Sequence, residues 1–361
     1  MASLLCALAS SLVMAQEKFL LEGILDAEVY KTDSRSLFLS RNDGELSSLG
    51  RLQLWSAWQA TPGFQLYAMG QAKTDDADGK RSSESELQQL AVRYSSNSSS
   101  VYFVEIGKFL PPFAIASERR LSTQNPLIGQ PEFIYARYPL GIQAAGSSGW
   151  FDYRAALVDL PVIDTDYLPS APDSVLRPDV GFGVSPFTGL RFGIAYTQGA
   201  YLNRDLDAFL PPGTDWKDFD QRLWGLELQF SRGYAEFNGE LVFSKYDVPF
   251  RSESLNMVGY FMELKYTWTP RLYGAVRLQR NEYPFVRHLG GPAWLAQKVT
   301  IHDLEIGLGY RFSPDTQLKL AYRRDDTKVQ RVAENYLPSG HSVALQLSHH
   351  FDLQSWFLTE R

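Results

Sequence analysis

Short segments in which apolar and polar side chains alternate dominate the chain from Phe19 onward. Neighbouring side chains of an extended strand point to opposite faces, so the alternation gives each strand one apolar and one polar face. In segment 222–231, every second residue from Trp224 to Phe230 is apolar, and segment 300–312 repeats the pattern. Helical spacing of apolar residues is nearly absent. We therefore predict an all-β fold.

The connections between these segments alternate strictly between tight and long. Seven tight turns, rich in Gly, Pro, Ser and Asn, are predicted at 60–63, 96–100, 147–149, 186–189, 231–233, 269–271 and 313–315. Eight long loops are predicted at 33–47, 74–85, 111–138, 162–178, 203–220, 247–254, 285–298 and 327–340. Fifteen connections join sixteen strands. This pattern predicts a transmembrane antiparallel β-barrel with short periplasmic turns and long external loops.

Aromatic residues at the tight turns favour a membrane barrel over a soluble β-protein. Alternation alone does not separate the two, because either one has an apolar and a polar strand face. A membrane barrel also carries aromatic girdles at the interfaces of the bilayer. The aromatic residues near the tight turns are Trp58, Phe64, Trp150, Phe151, Tyr234, Trp268 and Phe312. A soluble secreted β-protein stays as the alternative.

The first residues have the pattern of an export signal. Residues 3–15 form an apolar run that is shorter than the ~18 residues expected of a membrane-spanning helix. We predict a signal peptide at 1–15, a barrel at 16–352 and a C-terminal extension at 353–361. Cys6 is the only cysteine, so the mature chain is predicted to lack disulfides and thiol chemistry. The expected location is the bacterial outer membrane.

A run of motifs in the centre of the chain resembles the bacterial outer-membrane porins, both the general and the phosphate-selective type. Residues 105–113 read Glu-Ile-Gly-Lys-Phe-Leu-Pro-Pro-Phe and are similar to the strand end that leads into the third external loop of those proteins. Residues 138–143 are similar to the strand that returns from it. The resemblance is specific over 105–146. It implies a channel for passive diffusion of small hydrophilic solutes or ions, and it also implies a homotrimer.

The same resemblance implies a role for the third loop, 111–138. In sixteen-stranded porins this loop folds into the barrel and narrows the pore. Four charged residues of the loop are therefore the constriction candidates: Glu118, Arg119, Arg120 and Glu132.

Strand parity predicts which charged side chains line the lumen. The basic candidates are Arg51, Lys73, Arg93, Arg154, Arg191, Lys265, Arg277, Arg311, Lys319 and Arg323. The acidic candidates are Glu22, Asp26, Glu28, Glu105, Asp152, Glu227, Glu236, Glu240, Glu263, Asp303 and Glu305. Near balance of the two signs argues against a strongly selective pore of one sign. Strands two to four supply only bases, and strands ten to twelve mainly acids, so a transverse field is expected across the lumen.

Other chemistry finds little support. The five histidines have no metal-ligand spacing, and no hydrolase motif occurs. Segment 75–79 is similar to a calcium loop but lacks the downstream acid that completes such a site. We expect no cofactor, no metal, no enzymatic activity and no nucleic-acid partner; the expected partners are outer-membrane lipid and small solutes. The alternatives are a barrel that serves as a sheath or docking platform for a partner protein and, less favoured, an outer-membrane hydrolase.

Overall fold

A computed structural model describes residues 19–36, 39–77, 79–96, 101–111, 113, 121–131, 138–159, 175–290, 293–329 and 339–354. Within these ranges the chain forms sixteen antiparallel strands in one closed barrel. The first strand pairs with both the second and the last, which closes the sheet. The prediction of an all-β, sixteen-stranded antiparallel barrel is confirmed.

The strands differ widely in length. Their bounds are β1 Phe19–Thr32, β2 Ser47–Thr61, β3 Phe64–Asp75, β4 Ser82–Ser95, β5 Val101–Lys108, β6 Leu140–Ser148, β7 Phe151–Val158, β8 Arg177–Phe187, β9 Leu190–Ala200, β10 Asp220–Arg232, β11 Ala235–Tyr246, β12 Leu255–Thr267, β13 Leu272–Gly290, β14 Ala293–Arg311, β15 Thr316–Val329 and β16 Gly340–Asp352. Short 3₁₀ segments lie at Asn42–Gly44, Arg204–Phe209 and Trp216–Asp218. Among the described residues, no helix is long and apolar enough to cross a membrane.

The two faces of the barrel have the polarity of a membrane protein. On β10, the apolar side chains of Trp224 and Leu226 are exposed on the outside, whereas Glu227, the next residue along the strand, is buried inside. The same holds on β14, where Ile306 and Leu308 are exposed and Glu305 is buried. An apolar exterior around a polar interior is the reverse of a soluble protein and suits lipid contact.

Aromatic side chains ring the tight-turn end of the barrel. All seven of those predicted for an interfacial girdle, from Trp58 to Phe312, are exposed. Several are in ring contact with aromatic neighbours: the centroids of Phe64 and Tyr94 are 4.9 Å apart, and those of Tyr310 and Phe312 are 5.1 Å apart. Amphipathic rings at this level suit the boundary between lipid and water.

One predicted loop is a pair of strands. Segment 285–298 was expected to be a long external loop, but β13 and β14 continue through it as a hairpin of 19 residues a strand. The prediction was wrong because apolar side chains of this region face protein and not lipid. Val286 and Trp294 pack into a cluster of loop residues instead. The alternation that marks a strand with one face toward lipid is therefore not seen in this segment. The connection predicted at 74–85 is also shorter, because β4 begins at Ser82.

The outer part of this hairpin belongs to a hydrophobic core at the end of the barrel that carries the long loops. We call it the mouth core. Its buried members are Tyr201, Leu202, Leu210, Trp216, Phe219, Tyr246, Val248, Met257, Val286 and Trp294. The indole of Trp294 donates to the carbonyl of Phe209 at 3.1 Å and so ties the hairpin to a 3₁₀ segment. The mouth core thus joins the connection between β9 and β10, the connection between β11 and β12, and the β13–β14 hairpin.

The backbone conformation at position 107, in the porin-like motif, requires a glycine. Its φ is +138°, and an added Cβ would stand 2.3 Å from the carbonyl oxygen of Leu90 on β4. We expect Gly107→Ala to lower the free energy of unfolding by about 1–3 kcal/mol. Gly70→Ala is the matched control, because its added Cβ would meet nothing closer than 3.7 Å. Loss of the heat-resistant folded band at lower temperature in Gly107→Ala alone would match this expectation; equal melting of the two variants would contradict it.

Candidate channel interior

Part of the third loop lies inside the barrel. Residues 121–131 pack against the inner wall formed by β13, β14 and β15, as shown by hydrogen bonds from all three strands. The buried ammonium of Lys319 on β15 donates to three carbonyls of the loop, those of Ser122 (2.5 Å), Asn125 (2.7 Å) and Leu127 (3.2 Å). Hydrogen bonds to a charged donor are stronger than neutral ones, so this contact fixes the loop firmly.

Two more charged side chains bind the same loop. Arg277 of β13 donates to the carbonyl of Gly129 at 2.6 Å and to the side-chain oxygen of Asn125 at 2.7 Å. Glu305 of β14 accepts from the amides of Ile128 (3.2 Å) and Gly129 (2.8 Å). With Lys319, these residues form what we call the loop anchor. Since most of its contacts are with loop backbone, the position of the loop depends mainly on the wall and little on the loop's own side chains.

The part of the third loop that directly follows β5 packs against β7 and β10. Phe109 is fully buried against Ala156 and Val158 of β7. Phe113 is also fully buried, and its ring lies 3.3 Å from where a Cβ added to Gly225 would stand. These two rings therefore hold the start of the loop against β7 and β10.

Open space remains on the other side of the loop. A cavity of about 340 Å³ lies between the loop backbone at 128–130 and the inner wall of β1–β4 and β14–β16. Its charged lining residues are Glu28, Arg41, Arg51, Lys73, Glu84, Glu305 and Arg323. The cavity is a candidate part of the channel, with the anchored loop as one of its walls.

Two of the ion pairs that line the cavity place the base in front of its acid. Arg51 binds Asp26 at 3.0 Å and Glu28 at 2.7 Å; its side chain is 17% exposed, against 0% and 3% for the two acids. The side chain of Arg323 is 11% exposed and that of its partner Asp303 is 1% exposed. In both of these pairs the acid lies behind the base, so water beside Arg51 and Arg323 meets mainly guanidinium groups, whereas Glu84 beside Lys73 is 69% exposed.

The tight-turn half of the lumen repeats this orientation. Arg93 is 33% exposed, and its partner Glu105, at 2.7 Å, is 1% exposed. Arg154 and Arg191 share the buried carboxylate of Glu227, which Arg191 reaches at 2.6 Å. In some pairs the acid is the more exposed partner. Asp152 beside Arg191 and Glu236 beside Lys265 are examples.

Comparisons with known proteins identify the fold. No family model and no curated protein matches the chain. Among solved structures, the anion-selective porin from Comamonas acidovorans matches with a TM-score of 0.61 at 14% identity over 92% of this chain and 99% of that one. OmpF of Salmonella typhi matches with a TM-score of 0.61 at 12% identity over 93% and 98%. OprB of Pseudomonas putida matches with a TM-score of 0.62 at 9% identity over 95% and 96%. The chain has the porin fold.

Within the porin fold, the predicted lumen residues lie at inward positions of their strands, but in different surroundings. Arg277, Lys319, Glu263 and Glu305 are covered by the third loop or bound to residues that hold it. Lys73 lies between Asp75 (3.3 Å) and Glu84 (3.5 Å), Arg311 packs over the ring of Tyr273, and Glu240 is buried. The constriction candidates Glu118, Arg119, Arg120 and Glu132 lie outside the described residues.

The charges of β2–β4 are less segregated than the sequence predicts. Strands β2–β4 were predicted to supply only bases, but β4 begins early enough to include Glu84 and Glu86. The bases of these strands also pair with acids of the neighbouring strands, as Arg51 does with β1 and Arg93 with β5. Neutralisation by neighbours therefore weakens the transverse field, and the orientation of each pair matters more.

Sequence reasoning missed Arg41 as a lumen residue. It follows β1 in a connection where parity gives no direction, yet it lines the cavity, packs 4.3 Å over the Tyr30 ring and binds Asp75 at 3.2 Å. Asp76, in the calcium-like segment, accepts hydrogen bonds from Ser48. Across the described ranges, no group of three or more His, Cys, Asp or Glu side chains could hold a metal ion.

Proposed function

We propose that the chain is a passive diffusion channel of the bacterial outer membrane that favours small anionic solutes and catalyses no reaction. The proposal includes an export signal at 1–15, a barrel at 16–352 and a short extension at 353–361. The observation that carries it is the orientation of the ion pairs of Arg51, Arg93 and Arg323, in which the acid is buried behind the base. The fold supports it as well, since one similar structure is that of an anion-selective porin.

The electrostatic reason is one of distance. An anion in the cavity beside Arg51 or Arg323 approaches a guanidinium directly, whereas the paired carboxylate lies one side chain further back. Coulomb energy falls with distance, so the attraction exceeds the repulsion although the charges balance. A narrow cleft with low-dielectric walls strengthens this effect by focusing the field.

Reversal potentials in a KCl gradient across a planar bilayer would test the preference. We expect the wild-type channel to pass chloride roughly threefold or more over potassium, because the guanidinium groups lie nearer to the permeating ions than their paired acids do. In the triple variant Arg51→Gln, Lys73→Gln, Arg323→Gln, the ratio should fall to about one or below, because the acids then dominate.

A second triple variant separates lumen effects from overall charge. The variant Arg280→Gln, Arg324→Gln, Lys328→Gln also removes three positive charges, but from the barrel exterior. It should leave the reversal potential unchanged. A wild-type channel that prefers potassium, or equal effects of the two triple variants, would overturn the anion preference. A folded barrel without conductance would overturn the channel itself.

A further inference from the structure

A group of basic side chains projects outward from β13–β16, directly above the apolar belt. On β13 the outward series Leu272, Val276, Leu278 gives way to Arg280. On β15 the series Leu318, Leu320, Tyr322 gives way to Arg324 and then Lys328. On these strands the change from apolar to basic comes on the long-loop side of the belt.

Strand register brings these side chains together. Arg280 lies directly opposite His302 of β14, and Lys328 lies opposite Thr300, two residues along the same face. Arg324 lies opposite Leu304, which places it diagonal to His302. Diagonal neighbours on one face of a sheet are about 7–8 Å apart, within reach of long side chains. We call Arg280, His302, Arg324 and Lys328 the exterior basic cluster.

The local charge balance is positive. Glu282 is bound by both Arg280 (2.5 Å) and Lys298 (2.8 Å), and Asp326 is bound by Arg324 at 3.4 Å. The four cations of this region are Arg280, Lys298, Arg324 and Lys328. Against two acids they leave two positive charges in excess. The side chain of Arg324 is 59% exposed and Lys328 is exposed, so both can reach a ligand outside the barrel.

We propose that the exterior basic cluster binds the phosphate of an anionic membrane lipid. The acyl chains of such a lipid would lie along Leu278, Ile306 and Leu320, which are exposed on the apolar belt just below. A phosphate is the group that arginine and lysine recognise best, and cations at this level attract anionic lipids. The proposal is independent of conduction, because it concerns only the outer surface of the barrel.

Native mass spectrometry of the detergent-solubilised full chain would test it, with phosphatidylglycerol and phosphatidylcholine of identical acyl chains as probes. Each cation near a membrane surface strengthens binding of an anionic lipid about fivefold. We expect the wild-type chain to retain phosphatidylglycerol in preference to phosphatidylcholine. Arg280→Gln, Arg324→Gln, Lys328→Gln should weaken phosphatidylglycerol binding by about tenfold to a hundredfold and leave phosphatidylcholine unchanged.

The control is Arg81→Gln, Arg204→Gln, Lys217→Gln, which removes three exposed cations from the connections at the same end. It should bind phosphatidylglycerol as the wild type does. Equal retention of the two lipids by the wild type would overturn the proposal, as would equal losses in the two triple variants. Displacement of phosphatidylglycerol by an equal concentration of inorganic phosphate would also overturn it, since the site would then recognise free phosphate.

Discussion

Lys319→Met should release the third loop from the barrel wall and raise the conductance of the channel. The variant keeps the length of the side chain but removes the donor from the carbonyls of Asn125 and Leu127, while the carbonyl of Ser122 still accepts from Gln317. An unsatisfied buried acceptor costs about 1–3 kcal/mol, so the loop would lose roughly 2 kcal/mol or more of its attachment. Single-channel recording should show larger and noisier steps, and liposome swelling should show faster entry of large sugars.

Lys265→Met is the matched control for this experiment. Lys265 also faces the lumen, but its ammonium binds Glu236 at 2.6 Å, and no described contact joins it to the third loop. Its conductance steps should stay as quiet as those of the wild type. If Lys319→Met gave wild-type conductance and wild-type sugar permeation, the loop would not depend on its anchor.

Leu226→Arg should destabilise the barrel by about 2–4 kcal/mol, as expected for arginine near the middle of a bilayer. Leu226 lies at the centre of β10 and is exposed on the apolar exterior. Arginine there would have to reach a lipid interface or draw water into the membrane. Denaturant titration of the barrel refolded in lipid vesicles would give the change in the free energy of unfolding.

Asn238→Arg introduces the same side chain on the lumen face of the neighbouring strand. Asn238 lies opposite Glu263 on the polar lumen face, so the new guanidinium would meet water and polar side chains and no lipid. We expect this variant to unfold within about 1 kcal/mol of the wild type. If both variants lost the same stability, the assignment of lipid and lumen faces would be wrong.

Sequence reasoning reached the barrel because its physical signals are local. Alternation along 222–231 reports which side chains share a face, and turn residues such as those at 231–233 report where a strand ends. Both signals depend only on neighbours in the chain, so sixteen strands and their antiparallel order could be counted without a structure. The method failed at 285–298, where the partner of the apolar face is protein and not lipid.

The organisation of the lumen could not be predicted in the same way. Parity placed Lys319 and Arg51 on the inner face, but it does not show that one is covered by a loop and the other faces water. Contacts such as that between Arg277 and Gly129 join residues far apart in the chain and involve backbone atoms. Such contacts leave no periodic pattern in the sequence, so the loop anchor and the orientation of the ion pairs are visible only in the folded structure.

The orientation of the ion pairs has a consequence for solutes of different size. A base in front of its own acid, as in Arg51 with Asp26, is a dipole, and the field of a dipole decays faster than that of a single charge. Small ions that travel along the axis in physiological salt, where the Debye length is about 8 Å, would sense only part of it. A bulky anion that touches the wall would sense nearly all of it. Discrimination by charge in this channel should therefore increase with the girth of the solute.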